Sequence, residues 1–192
     1  MPIQRAKPRL VDLDQTPLTS ITSSNLPTGS CLQVVHRNYN PLISSTTQTF
    51  TDITNFNVTI TPTSASNKVF LMLAVSWSHN GHCSLRITRK IGSASAAVLA
   101  NSVGDQELGS NRIAATLHGY RYTTNNLHYD QRHDSINILD TPNTTEAVIY
   151  QLQGANPHNS AYSFVINRQV GDDDQNYSAR VRSSFSAMEI KG

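Results

Sequence analysis

The sequence is short of charged residues and of long apolar runs, and each shortage argues against a class of protein. Asp, Glu, Lys and Arg make up 15% of the 192 residues, and the formal net charge is +2. Because no run of basic residues stands out, we expect no nucleic-acid partner. No apolar stretch approaches the roughly 18 residues that a membrane-spanning helix needs, so we expect no membrane insertion.

Cysteine is also scarce, which argues against a disulfide-stapled secreted domain. Cys31 and Cys83 are the only two, and a disulfide framework needs more. The N-terminal stretch MPIQRAKPRLVDLDQTP has basic residues but lacks the apolar core of a secretory signal. We therefore expect both thiols to be reduced and buried.

Glutamate is rare, and this limits catalytic chemistry. Glu107, Glu146 and Glu189 are the three glutamates, so few paired-carboxylate glycosidase sites can be built. The Gly-x-Ser-x-Gly turn of α/β-hydrolases is absent. Asp105 and Glu107 lie two residues apart, but neighbouring carboxylates of this kind are more often only solvated. We expect a protein that is not an enzyme.

Uncharged polar residues take the place of the missing charges, and they favour an all-β fold. Ser, Thr and Asn are poor helix formers because their side chains compete for backbone hydrogen bonds. Apolar stretches separated by roughly 8 to 15 residues, with turn residues between them, predict an antiparallel sandwich of eight or more strands. The predicted strands are 31–37, 56–61, 68–76, 82–89, 135–140, 145–153, 161–168 and 183–190, and residues 118–129 are predicted to form a strand, a loop and the start of another strand.

Two regions between these strands carry further predictions. Asn80-Gly81 predicts a β-hairpin turn, since both residues tolerate a positive φ. Residues 92–117 are compatible either with short strands or with one helical turn.

The stretch 68–76 is apolar on both of its faces. Val69, Leu71, Leu73 and Val75 alternate with a second apolar set, and a strand of this kind must be covered on both sides. One side can face the core between two sheets, whereas the other needs a loop, a helix or a neighbouring subunit. We predict a subunit interface made by Phe70, Met72 and Ala74.

Residues 1–30 differ from the rest of the chain. Prolines punctuate them, and their apolar residues show no regular period. We predict an extended docking arm that lies along another protein, with 31–192 as the β-sandwich domain; a disordered terminus is the alternative. The arm residues expected to make contact are Leu10, Val11, Leu13, Leu18 and Ile21.

Two clusters contain metal-ligand residue types. A zinc site needs three or four converging ligands, yet His82 and Cys83, which follow His79, are adjacent on a predicted strand and so point to opposite faces. Asp172, Asp173 and Asp174 lack the alternate-residue spacing of a calcium loop. We expect no metal and no cofactor, although the sequence leaves open whether either cluster holds an ion.

A group of aromatic and polar residues predicts a recognition surface. Tyrosine combines a broad apolar face with a hydrogen-bonding tip, which suits the C–H faces and hydroxyls of sugars. The alternative is that the tyrosines alternate into the core or into a subunit interface. The predicted contacts to a host surface or glycan are Tyr120, Tyr122, Asn125, Asn126, His128, Tyr129 and Arg132.

The order of the strands resembles a module of tailed-phage fibre and virion-surface proteins. Cys31 stands where that family usually has an aliphatic residue, whereas Lys68, Asp140 and Pro142 fit its pattern. Residues 92–133 match nothing in the family. The matching phrases are LPTGSCLQVV (26–35), VTITPTSASNKVFLMLAVS (58–76), INILDTPNTTEAVIYQLQ (136–153) and SAMEIKG (186–192).

The resemblance implies a jelly-roll-like antiparallel β-sandwich, usually trimeric, on the outside of a virion. We predict a short trimeric fibre or fibre tip, made in the host cytoplasm, that contacts host cell-surface polysaccharide by non-catalytic binding. The alternative is a capsid decoration or cement protein whose N-terminal arm staples capsid subunits. A surface-glycan hydrolase is the third and weakest reading. As a fibre or as a decoration protein, the chain would bind other virion proteins of the tail or the capsid through its arm.

Overall fold

The structure is a computed structural model that describes residues 22–104, 111–120 and 130–192. The predicted contacts of the docking arm lie outside these residues. Within them the chain forms β-strands and short 3-10 turns and no α-helix, which confirms the predicted all-β fold. The strands are β1 (Cys31–Tyr39), β2 (Ile43–Ser45), β3 (Thr51–Ile60), β4 (Lys68–His79), β5 (His82–Ile91), β6 (Ala97–Val98), β7 (Leu117–Tyr120), β8 (Arg132–Asp140), β9 (Val148–Ala155), β10 (Phe164–Ile166) and β11 (Ser183–Ile190).

The strands form two antiparallel sheets. In the first sheet β4 is central: it pairs with β8 on one side, and with β11 and then β10 on the other. β1 extends this sheet beyond β11, and β2 extends it beyond β10. In the second sheet β9 lies between β3 and β5, and the far side of β5 pairs with β6 and β7.

The hydrophobic core lies between the two sheets, as in a β-sandwich. The predicted alternation in β3 is confirmed, because Phe56, Val58 and Ile60 are buried. They share one core with the inward residues of β4, from Val69 to Val75, and with β11 through Phe185. Tyr39 stacks on Phe56 at 4.1 Å between ring centroids.

A partly buried ion pair connects the two sheets at one point. Asp140 on β8 is buried and accepts two hydrogen bonds from the guanidinium of Arg89 on β5, at 2.8 and 2.9 Å. The hydroxyl of Tyr150 on β9 donates a third at 2.7 Å. This contact raises the pKa of Tyr150 above its usual range, after the larger effect of burial.

The hairpin predicted at Asn80-Gly81 is wrong. The two residues do join β4 to β5, but these strands belong to different sheets and do not pair with each other. Neither residue has a positive φ. The turn is fixed instead by Ser163: its backbone N–H donates to Asn80 Oδ1 at 2.7 Å, and its carbonyl accepts from the Asn80 N–H. Gly81 lies directly under the Tyr162 ring, where a Cβ would collide with it.

The cysteine prediction is half wrong. Cys83 is buried in the core, and burial raises the pKa of its thiol. Cys31 is exposed at the start of β1, where the pairing with β11 shifts register between Cys31 and Gln33.

Candidate functional site

The outward face of the first sheet carries an apolar row that crosses four strands. Val34 pairs with Met188, Met188 with Phe70, and Phe70 with Leu139. Val34 is 57% exposed and Leu139 47% exposed. An apolar row of this kind, exposed at both ends and half-buried between them, is unusual on an isolated domain.

Two further rows continue this face without any Asp, Glu, Lys or Arg. In the first, Met72 is 41% exposed, and His36 Nδ1 lies 2.8 Å from Ser186 Oγ. We call the three rows together the outer face. They comprise Val34–Met188–Phe70–Leu139, His36–Ser186–Met72–Asn137 and Asn38–Ser184–Ala74–Ser135.

The predicted interface residues therefore lie side by side at the centre of the outer face. Phe70 and Ala74 are half-buried and Met72 is exposed. The sequence prediction missed Val34, Met188 and Leu139, because they come from strands distant in the chain. For Met188, the sequence indicates an outward position only through the alternation in β11, because Phe185 and Ala187 on the other face of that strand are buried in the core.

The second candidate surface is the end of the sandwich where β4 passes into β5, which we call the turn end. Tyr120, the last residue of β7, pairs with His82 at the start of β5. It is 52% exposed, and its ring lies 4.4 Å from the His82 ring. Tyr120 therefore faces outward rather than into the core, as the recognition reading requires.

Three histidine side chains meet at the turn end. The ring of His82 lies 4.5 Å from that of His158 and 6.3 Å from that of His118. Ser84 Oγ lies 2.9 Å from His118 Nδ1 and fixes that ring. Desolvation by burial lowers the pKa of His82, and the charges of His158 and His118 lower it further. We call these three residues the histidine cluster; sequence spacing gives no signal for it.

A cleft of about 520 Å³ opens beside the histidine cluster. Its wall combines positive, amide and apolar groups, which is the usual make-up of a small-ligand site. The lining includes Asn111, Arg112, Ile113, His118, Pro157 and His158.

Arg132, the other predicted contact that the structure describes, begins β8 in the first sheet. It pairs with Trp77 near the end of β4, and its guanidinium lies 5.4 Å from the centre of the indole. The indole N–H donates to Asp134 at 2.6 Å. Arg132 thus belongs to the turn end, but on the sheet opposite Tyr120. The predictions for Tyr122, Asn125, Asn126, His128 and Tyr129 fall outside the described residues.

The two clusters considered for metal binding are arranged for other roles. Cys83 faces the core while His82 faces outward, as the sequence predicts. The Asp172 carboxylate accepts two hydrogen bonds from the Arg180 guanidinium. Its Oδ2 also lies 3.8 Å from Arg168 Nη1. In the three described ranges, no group of three or more His, Cys, Asp or Glu side chains is placed to hold a metal ion.

Comparison with the models of known protein families finds no match, and no curated protein is similar in sequence. The described residues also include no helix that is long and apolar enough to cross a membrane.

Proposed function

We propose that this chain is a structural protein of a bacteriophage virion surface. It forms a short trimeric fibre or fibre tip that contacts the host surface by binding alone. The observation that carries the proposal is the order of the strands in the two sheets, which fits a jelly roll. This architecture recurs in viral capsid proteins and in lectin domains.

The strand order supports a jelly roll as follows. Counting the longer strands β1, β3, β4, β5, β7, β8, β9 and β11 as first to eighth, the first sheet runs 1-8-3-6 and the second runs 2-7-4-5. Two interlocking Greek keys of eight strands produce this order. The short strands β2, β6 and β10 only extend the sheets.

The outer face supports the homotrimer. The first of its three rows is apolar and none of the three carries Asp, Glu, Lys or Arg, and depletion of charge is characteristic of interface centres. Three rows spaced two residues apart on four strands about 4.8 Å apart offer roughly 400 Å² per copy. A stable interface commonly buries about 800 Å² per partner, so a trimer must bury further surface beside the outer face.

The two ends of the sandwich support a division of roles. Residues 24–30 are tied to the C-terminal end of β11: Lys191 Nζ donates to the carbonyls of Ser24 and Leu26, and the Gly29 N–H donates to the Lys191 carbonyl at 2.8 Å. β4 runs from this end to the turn end, a length of about 36 Å at 3.3 Å per residue. The arm therefore starts at one end, and the turn end is left to face the host.

A charge placed on the outer face tests the proposal. Wild type should sediment at about 63 kDa, three times the chain mass of 21.1 kDa. Leu139→Asp should sediment as a single chain, because the carboxylate would be buried unpaired in the interface. The matched control is Thr59→Glu, an exposed position of the second sheet, which should remain trimeric. A wild type that is monomeric at micromolar concentration contradicts the trimer.

A capsid decoration protein is the second candidate, and the fixed base of the arm favours it as much as it does a fibre. An arm anchored at Lys191 can staple capsid subunits while the turn end points outward. Counting copies per particle separates the two roles. Tens of copies are expected for a tail position, whereas hundreds are expected for a capsid lattice.

A further inference from the structure

We propose that the cleft beside the histidine cluster binds the anionic group of an acidic saccharide, and that it binds more tightly as the pH falls. The anionic group is a carboxylate or a phosphate. That the ligand is a saccharide of the host surface rests on the function proposed above, whereas the anion site rests on the geometry alone.

Positive groups converge on the cleft from separate parts of the chain. His118 comes from β7, His158 from the segment that follows β9, and Arg112 from the segment before β7. His82, from β5, lies against both histidine rings. Bringing these side chains together from four segments costs electrostatic energy whenever the imidazoles are protonated, and a bound anion offsets that cost.

Among the described residues, the charged groups that shift the pKa of His82 are of one sign. Within the described part of the chain, the charges that act on His82 come from His158 and His118, and Tyr120 adds a neutral phenol. Asp105 and Glu107 lie in the segment 105–110, outside the described residues. An imidazole becomes a cation as the pH falls through the range near neutrality. Affinity for an anion should therefore rise on acidification.

The remainder of the wall suits a sugar. Asn111 offers an amide that can both donate to and accept from hydroxyls. Ile113 and Pro157 supply apolar surface in the same cleft. Tyr120, whose ring lies tilted at 33° against His82, adds an exposed ring of the kind that packs against sugar C–H faces. A volume of about 520 Å³ lies within the range of small-molecule sites.

Isothermal titration calorimetry of the full chain tests the proposal with three probes. These are tri-galacturonate, the neutral maltotriose and inorganic phosphate, each measured at pH 5.5 and pH 8.0. Tri-galacturonate should bind at least about fivefold more tightly at pH 5.5, as expected when one more hydrogen bond to the anion becomes charge-assisted. Maltotriose should bind more weakly than tri-galacturonate at pH 5.5.

Substitutions assign the binding to the cleft. His118→Ala and His158→Ala both alter exposed side chains, and each should weaken tri-galacturonate binding at pH 5.5 by about fivefold and flatten its pH dependence. The control is His133→Ala, an exposed histidine of β8 that lies outside both the cleft and the three rows of the outer face, and this variant should bind as wild type does. Phosphate should also shift the imidazole NMR signals of His118 and His158.

The outcomes are separable from those of the proposed function. Phosphate binding without tri-galacturonate binding overturns the saccharide assignment and leaves an anion site. No binding of any probe, or binding that both histidine substitutions leave unchanged, overturns the anion site itself. A monomeric wild type in sedimentation contradicts the trimer but leaves the calorimetric result untouched.

Discussion

Glu189 is the clearest case of a single buried residue whose surroundings stabilise its charged form. It is fully buried in β11, and its carboxylate accepts hydrogen bonds from Gln33 Nε2, Thr63 N, Thr63 Oγ1 and Asn67 Nδ2 at 2.5 to 2.8 Å. Burial alone would raise the pKa of Glu189, but these hydrogen bonds outweigh burial and hold the pKa below its usual range. The carboxylate thus joins β1 and the 61–67 turn to β11.

Glu189→Gln should therefore destabilise the protein in a pH-dependent way. At pH 7 the amide presents N–H groups to donors, and we expect a loss of about 2 kcal/mol in the free energy of unfolding. A lowered folded-state pKa means that the carboxylate stabilises the fold above the unfolded value of about 4.3, and that this stabilisation is lost as the pH falls through the folded pKa. Urea unfolding between pH 7 and pH 2.5 measures both effects.

The control for this prediction is Glu146→Gln, because Glu146 is exposed. Its stability should stay within about 0.5 kcal/mol of wild type at pH 7. If the difference between wild type and Glu189→Gln does not shrink below pH 4, then the carboxylate is not the stabilising form.

At the residue scale, sequence reasoning was reliable where alternation within one strand determines which side chains face the core. It placed Val58 inside and His82 opposite Cys83. It was wrong for Cys31, which is exposed at the start of β1, where the pairing with β11 shifts register between Cys31 and Gln33. It gave no indication that Glu189 is buried, since the partners of that carboxylate come from distant positions.

At the scale of the elements, the contact between β9 and β10 depends on a glycine. Gly154 lies in β9 opposite Leu85 of β5, and the Phe164 ring of β10 packs onto it from the other sheet. A Cβ at Gly154 would lie 2.5 Å from Phe164 Cζ. The two sheets can therefore approach this closely at this end only because residue 154 has no side chain.

Gly154→Ala should lower the free energy of unfolding by about 1 to 3 kcal/mol through overpacking. For a chain of this size each kcal/mol corresponds to roughly 2 to 4 °C in Tm, so differential scanning calorimetry measures it readily. The matched variant is Gly104→Ala, whose added Cβ would meet nothing within 4 Å. Equal Tm changes in the two variants would contradict the packing argument.

The elements themselves were largely predictable, whereas their partners were not. Period-two alternation located β3, β4, β5 and β11, because each has a wet face and a core face or is apolar throughout. The Asn-Gly signal at 80–81 misled because a two-residue turn can also carry a chain from one sheet to the other. Local chemistry specifies that the chain turns there, and tertiary contacts from Tyr162 and Ser163 decide in which direction.

At the scale of the whole molecule, the sequence indicated one candidate surface and part of the other. Two-sided apolarity in 68–76 predicted the outer face, but its full extent depends on the register with β1, β8 and β11. Of the turn end, Tyr120 and Arg132 were predicted, whereas His118 and His158 were not. Residues that are distant in the chain converge there, and no periodic pattern encodes such convergence.

Truncation should distinguish the arm from the part of the N-terminus that belongs to the fold. Removing residues 2–21 should leave Tm within about 2 °C of wild type, because Lys191 keeps its carbonyl partners. Removing residues 2–28 should cost about 1 to 3 kcal/mol, since the Lys191 ammonium then loses both acceptors. Calorimetry on the two truncations measures the difference, and equal Tm values would mean that the Lys191 contacts contribute little.

The lysine that fastens the first described residues to the last strand has a practical consequence. A peptide tag joined at Gly192 would leave the sandwich beside Lys191, at the end remote from the Asn80-Gly81 turn. Copies immobilised through such a tag on a sensor chip would all share one orientation. Their cleft would then point toward the flowing analyte rather than toward the chip.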